Sequence, residues 1–160
     1  MPDTPEDAYP YERAWRYALW LLGRQAYTGA QLQERLRRKG ATPETVERVL
    51  AKLVDLEFVD DALYAEAYVR SRSRNKGALR LRQELFHKGV NEELVEKALG
   101  ALDERAQVEA ASALVEKNLW RWKGEPRERY AKAYAFLVRR GFPADVVRAA
   151  LEHLPPTQDI

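Results

Sequence analysis

Between Arg70 and Gly89 the chain sets Arg70, Arg72, Arg74, Lys76, Arg80, Arg82 and Lys88 against one carboxylate, Glu84. The local charge is +6 in a chain of net charge +2, so the remaining residues sum to −4. Cations at this density suit three kinds of work. They can neutralise phosphates, with an affinity that falls with salt and carries little sequence information. They can pair with carboxylates of another protein, by steering and bidentate hydrogen bonding. Or they can simply solvate a face. Composition alone leaves all three open.

Covalent and metal chemistry have little to work with. Cysteine is absent, which removes disulfides, thiolate ligands and thiol nucleophiles and suits a reducing cytoplasm. There is no Gly-x-x-x-x-Gly-Lys-Ser/Thr phosphate loop, no His-Glu-x-x-His zinc helix and no Gly-x-Ser-x-Gly elbow. The two histidines, His87 and His153, lie far apart without metal-ligand spacing, and His87 at a basic helix end reads as solvated. Asp60-Asp61 could be pictured as a metal or acid–base pair, but a helix-capping role accounts for both with less machinery. Glu44, Glu93 and Asp145 each stand four residues beyond a glycine, where a first helical turn favours an anion. The expectation is a binding protein, not an enzyme, with no cofactor and no metal.

The elements that position these residues are helical. Apolar residues make up 46% and charged residues 32%, as in a soluble globular chain, and no apolar run is long enough to span a bilayer. The first ten residues are acidic and Pro-rich, unlike a targeting leader. From Tyr11 to Ala26, Trp15, Ala18, Leu19, Leu22 and Ala26 recur at helical steps. Thr28 and Gln31 form a capping box for a second helix, with Leu32 and Leu36 inward, Arg37-Arg38-Lys39 at the basic end and Gly40 as the stop. Thr42-Pro43 opens a third, striped by Val46, Val49, Leu50 and Leu53.

The pattern then repeats. In the segments around Gly40, Gly89 and Gly141 a Leu precedes the glycine by four, a Val follows by six and a Leu by ten, with the glycines 49 and 52 residues apart. Three in-phase copies predict an all-α fold: an elongated array, straight or curved, of three tandem three-helix repeats. The expected divisions are a flexible tail 1–10, repeats at 11–59, 60–102 and 103–154, and a frayed tail 155–160. The second repeat starts after Asp60-Asp61. The third starts near Asp103 with a long helix whose stripe of Val108, Ala111, Val115, Leu119 and Trp122 runs to about Trp122, and Pro126 opens its next helix.

Within the basic stretch, a helix over Tyr64–Arg74 groups Tyr64, Ala65, Tyr68 and Val69 on one face and turns Arg70 and Arg74 outward. Arg72 falls back on the aromatic side, so either the helix has ended by then or its stem covers the tyrosines. Arg80 and Lys88 also face outward, Arg80 with Glu84 as a weak surface pair, whereas Arg82 and Phe86 lie on a flank. Phe86 is either a partner contact or packing between repeats. Arg37, Arg38, Lys39, Arg139 and Arg140 are secondary basic candidates. With Gly40 as a helix-turn-helix bend they would support an alternative, direct DNA binding. A helical protein–protein adaptor without nucleic acid is the third reading.

The segment from Phe58 through Asp60-Asp61 to Arg72, followed by Lys76-Gly77 through Arg80, Arg82, Glu84 and Leu85 to Gly89, resembles the signature of the bacterial RecX family. Ala18 through Arg24, Tyr27-Thr28 and Leu32 to Gly40 is similar to that family's first unit, and Gln25-Ala26 and Phe86-His87 depart from its usual pattern. The resemblance covers residues 12 to 154 and is weakest in the third unit. It implies a cytoplasmic, non-enzymatic modulator of the RecA recombinase, concerned with recombination, DNA repair and the SOS response. Such a protein lies in the groove of the RecA–DNA filament and restrains its ATPase and strand exchange. Its partners would be the RecA filament and single- or double-stranded DNA without sequence preference, with no membrane and a monomeric chain. The filament-facing residues would be Arg70, Arg72, Arg74, Lys76, Arg80, Arg82 and Lys88.

Overall fold

Helix-start and helix-stop chemistry divides the chain into nine α-helices among the described residues of the computed structural model, 8–152 and 154. They are α1 Tyr11–Leu22, α2 Gly29–Arg38, α3 Pro43–Asp55, α4 Asp61–Arg72, α5 Ala78–His87, α6 Glu92–Gly100, α7 Glu104–Asn118, α8 Pro126–Arg139 and α9 Ala144–Leu151. The fold is all-α, three tandem three-helix domains. No helix among the described residues is long and apolar enough to cross a membrane. Tail 155–160, most of tail 1–10 and His153 lie outside the described residues; Tyr9, within them, is buried and sits edge-on to Tyr17.

Several boundaries follow from local chemistry as expected. The capping box is complete: Gln31 N–H donates to Thr28 Oγ1 (3.1 Å), and Thr28 N–H donates to Gln31 Oε1 (3.0 Å). Thr42 and Asp103 cap α3 and α7, and Pro43 and Pro126 occupy first-turn positions. Gly40, Gly89 and Gly141 all take positive φ, the left-handed stop for α2, α5 and α8.

Other boundaries differ. The first helix ends at Leu22, not Ala26, because Gly23 and Arg24 N–H groups turn back to Leu19 and Leu21 carbonyls and the chain then extends to the Thr28 cap. Its buried face is Ala14, Ala18 and Leu21, so the expected stripe marked a flank: Leu19 is exposed, and Trp15 and Leu22 are half-buried. α4 ends at Arg72, whose carbonyl accepts the N–H groups of both Asn75 and Lys76. α7 stops at Asn118, whose side-chain amide donates to Leu114 O (2.7 Å), and a 3-10 turn, Leu119–Arg121, follows. Trp122 is therefore on extended backbone, yet its ring is still buried against Phe136.

Contacts group the chain into two compact units, residues 1–65 with 85–94 and residues 66–84 with 95–160. Each contains one junction between consecutive domains. In the first, Gly29 N–H at the start of α2 donates to Asp61 Oδ1 (2.9 Å), and Thr28 Oγ1 donates to Lys88 O (2.6 Å), the residue before Gly89. Asp60 caps α4 through Leu63 N–H, but Asp61 is turned to α2, which corrects the capping role expected for both. In the second unit, Ala78 N–H at the start of α5 donates to Gln107 Oε1 (2.9 Å), and Gly77 N–H donates to Arg140 O (2.8 Å), the residue before Gly141.

The two junctions share one design, with Thr28 and Gly77 at equivalent positions. A hydroxyl donates in the first and a main-chain N–H in the second, to the same acceptor position. Gly77 lacks a side chain for a steric reason, since a Cβ there would lie 2.5 Å from Gly141 C and O. The glycine turns are equally close: a Cβ on Gly89 would lie 2.2 Å from Ala30 Cβ, and one on Gly141 2.2 Å from Arg80 Cβ. A Cβ on Gly40 would have nothing within 4 Å.

Candidate functional site

The organising group of the basic stretch is its one carboxylate. Glu84, one turn from the end of α5, accepts from Tyr68 Oη (2.5 Å), from Lys76 Nζ at both oxygens (2.9 Å) and from Arg80 Nε (3.0 Å). Burial pushes its carboxyl up, but the hydrogen bonds from Lys76, Tyr68 and Arg80 outweigh that and hold it at about 2. The expected Arg80–Glu84 pair is present, and Tyr68 and Lys76 extend it to a four-membered centre. Tyr68 comes from α4, Lys76 from the loop and Arg80 from α5, so one carboxylate fixes the relative placement of all three.

Around that centre the cations fall into distinct classes. Arg72 lays its guanidinium on the Tyr68 ring, Cζ 3.9 Å from the centroid, at the last residue of α4. Both alternatives weighed for this residue contribute, since the helix ends there and the side chain covers the tyrosine. Arg80 also donates from Nη1 to Arg139 O (3.0 Å), and Arg140 donates from Nη1 to Asn75 O (3.1 Å). The second junction thus brings Arg72, Lys76, Arg80, Arg139 and Arg140, far apart in sequence, around one loop and one turn. Arg70 and Arg74 are exposed and make no side-chain hydrogen bond or ion pair with another described residue, and the same holds for the Arg139 side chain. They are the cations available to an external anion.

The other candidates stand apart from this cluster. Arg82 is half-buried and holds Glu96 of α6 with two bonds (2.6 and 3.0 Å), which raises the guanidinium and lowers the carboxyl, so its role is to tie α5 to α6. Lys88 lines a concavity of about 290 Å³ in the first unit, with Arg35, Arg38, His87, Glu34 and Gln31. Arg37 and Arg38 both bind Glu34, and Lys39 places Nζ 4.9 Å from the Tyr17 centroid. Phe86 keeps 44% of its surface exposed.

Sequence reasoning missed two further features. Arg129 is 5% exposed, with Nε turned to Trp122 O (3.4 Å), although nothing in its sequence neighbourhood marks it as internal. The other is a row of rings and cations on α1. Its signal was available as helical spacing: Arg13, Tyr17, Trp20 and Arg24 stand four, three and four apart.

Comparison with known proteins accounts for nearly all of the described chain. Family models described as the first, second and third three-helix domains of RecX match residues 14–53, 60–99 and 105–151. A regulatory protein RecX from Deinococcus radiodurans is 37% identical over 161 residues, covering 98% of this chain and 76% of the relative. One from Thermobifida fusca is 38% identical, covering 93% and 83%. A crystal structure of RecX from Lactobacillus salivarius superposes with TM-score 0.83 at 27% identity, covering 90% of this chain and 96% of that one. A second, of regulatory protein RecX, gives 0.81 at 30%, covering 89% and 73%.

Proposed function

The chain belongs to the RecX family of regulatory proteins, and from that premise we propose that it is a non-enzymatic regulator of the RecA recombinase. In this reading it is a monomer in the cytoplasm. It lies along the groove of the RecA–DNA filament and restrains ATPase and strand exchange by blocking a protomer rearrangement or access of DNA.

The observation that supports this most is the gathering of Arg72, Lys76, Arg80, Arg139 and Arg140 at one junction, with Arg70 and Arg74 on the adjoining helix end and loop. Glu84 is saturated by three donors, so it offers no competing acceptor. A positive surface held by internal bonds needs little ordering on binding, which favours a polyanionic or acidic partner. Of the seven candidates, Arg70 and Arg74 are assigned direct contact, joined by Arg139. Arg72, Lys76 and Arg80 supply field and shape, and Arg82 is structural. Lys88 belongs with Arg35 and Arg38 as a separate basic contact. The helix-turn-helix alternative has less support, because Arg37 and Arg38 share Glu34 and Arg140 is directed to Asn75 O.

The test is a triple charge reversal, Arg70→Glu, Arg74→Glu and Arg139→Glu, at side chains with no internal role. Inhibition of the single-stranded-DNA-dependent ATPase of RecA should then need about tenfold more protein, roughly 1.4 kcal/mol, with an unchanged circular dichroism spectrum. Undiminished inhibition by the folded variant would remove these residues from the filament contact.

A further inference from the structure

The first unit carries a surface of a different character, built on α1. Tyr17 and Trp20 stack with ring centroids 6.1 Å apart and planes 17° apart. The Arg24 guanidinium lies 4.9 Å from the Trp20 centroid, and Lys39 Nζ lies 4.9 Å from that of Tyr17. Tyr9 meets Tyr17 edge-on at 6.4 Å and carries Arg13 at 5.0 Å. Three rings in succession, each with a cation on it, therefore form a continuous strip. Arg16, exposed one turn before Trp20, adds a fourth charge on its margin.

Core packing accounts for Tyr9, which is buried, and for Tyr17, which packs against the same core, but not for Trp20. α1 buries Ala14, Ala18 and Leu21, whereas Trp20 keeps 56% of its surface exposed. An exposed indole among cations is matched by a ligand that is both planar and anionic. An acidic protein would pair the cations but leave the ring faces without a flat partner. An apolar protein surface would desolvate the cations without counter-charge. Duplex nucleic acid offers phosphates but keeps its base faces stacked inside. Unpaired bases on a phosphate chain meet both demands, since base–aromatic stacking tolerates any base and the flanking cations follow the backbone.

We propose that the Tyr17–Trp20 strip is a stacking platform for single-stranded nucleic acid. A base takes the Trp20 face now covered by Arg24, and the displaced guanidinium moves to a neighbouring phosphate. This contact uses none of the residues around Glu84 and needs no RecA, so it stands or falls independently of the filament reading.

The experiment uses the full chain without RecA and follows fluorescence anisotropy of two labelled probes. One is a short oligothymidylate; the other is an abasic deoxyribose-phosphate chain of equal length and charge. Trp20→Ala should weaken oligothymidylate binding at least about five-fold, the low end for loss of one stacked base. It should change abasic binding less than about two-fold, and Trp20→Phe should keep most of the affinity. Equal losses on both probes would reduce the strip to a phosphate contact and overturn the proposal, as would no loss on either. Loss of RecA binding in the absence of DNA, with oligothymidylate binding intact, would assign the strip to a protein partner and equally overturn it.

Discussion

Gly40, Gly89 and Gly141 occupy the same place in three successive domains and all adopt positive φ, +100, +83 and +90°. Replacing each by alanine separates two costs that glycine hides. A left-handed residue with a Cβ costs about 1–2 kcal/mol, offset by about 0.4–1 kcal/mol from a less flexible unfolded chain. Gly40 meets only that balance, since its Cβ would find open space, and Gly40→Ala should lose about 1.6 kcal/mol or less. At Gly89 the new Cβ falls 2.2 Å from Ala30 Cβ, and at Gly141 it falls 2.2 Å from Arg80 Cβ and 2.5 Å from Arg80 N. Overpacking adds about 1–3 kcal/mol, so Gly89→Ala and Gly141→Ala should lose about 1–4.6 kcal/mol in all. Gly141 should be the more costly because main chain has to move. Urea unfolding followed by far-ultraviolet circular dichroism measures all three. The partner substitution Ala30→Gly in the Gly89→Ala background should recover the steric part, leaving a loss near that of Gly40→Ala. Equal losses at the three glycines, or no recovery in the double variant, would refute the idea that the domains are docked glycine turn against helix start.

Two further perturbations probe the partly and fully buried polar groups. The Glu84 carboxyl is held at about 2 against an ordinary 4.5, so its contribution is complete above pH 4.5 and is lost as pH falls from there towards 2. Wild-type stability should drop by about 2 kcal/mol across that window after allowance for solvent screening, and Glu84→Gln, less stable at pH 7, should flatten the decline in urea midpoints. Thr28, fully buried, both caps α2 and donates to Lys88 O. Thr28→Val should cost about 2–4 kcal/mol from the lost cap and an unsatisfied carbonyl and speed amide exchange at Gln31, whereas Thr28→Ser should keep both bonds and most of the stability.

Where a helix begins and which residues could carry charge were written in the sequence itself. The Thr28–Gln31 box, the Thr42 and Asp103 caps, Pro43, Pro126 and the three glycine stops all act within three or four residues. Chemistry of that range does not depend on what packs against it. The density of cations between Arg70 and Lys88 is likewise a property of the string. What those cations do is not, because their partners are remote: Tyr68 and Glu84 are 16 residues apart, Arg80 and Arg139 59, and Arg140 and Asn75 65. Helical phase put Arg80 and Lys88 on an outer face, but only the second junction turned Arg80 onto the Arg139 carbonyl. The ends of α1 and α7 escaped sequence reading for a related reason, since apolar spacing continues past the last hydrogen-bonded turn while the backbone leaves the helix. Asp61 shows the division most plainly: its type and position suit a cap on its own helix, and packing against the preceding domain gave it the N-terminus of α2 instead.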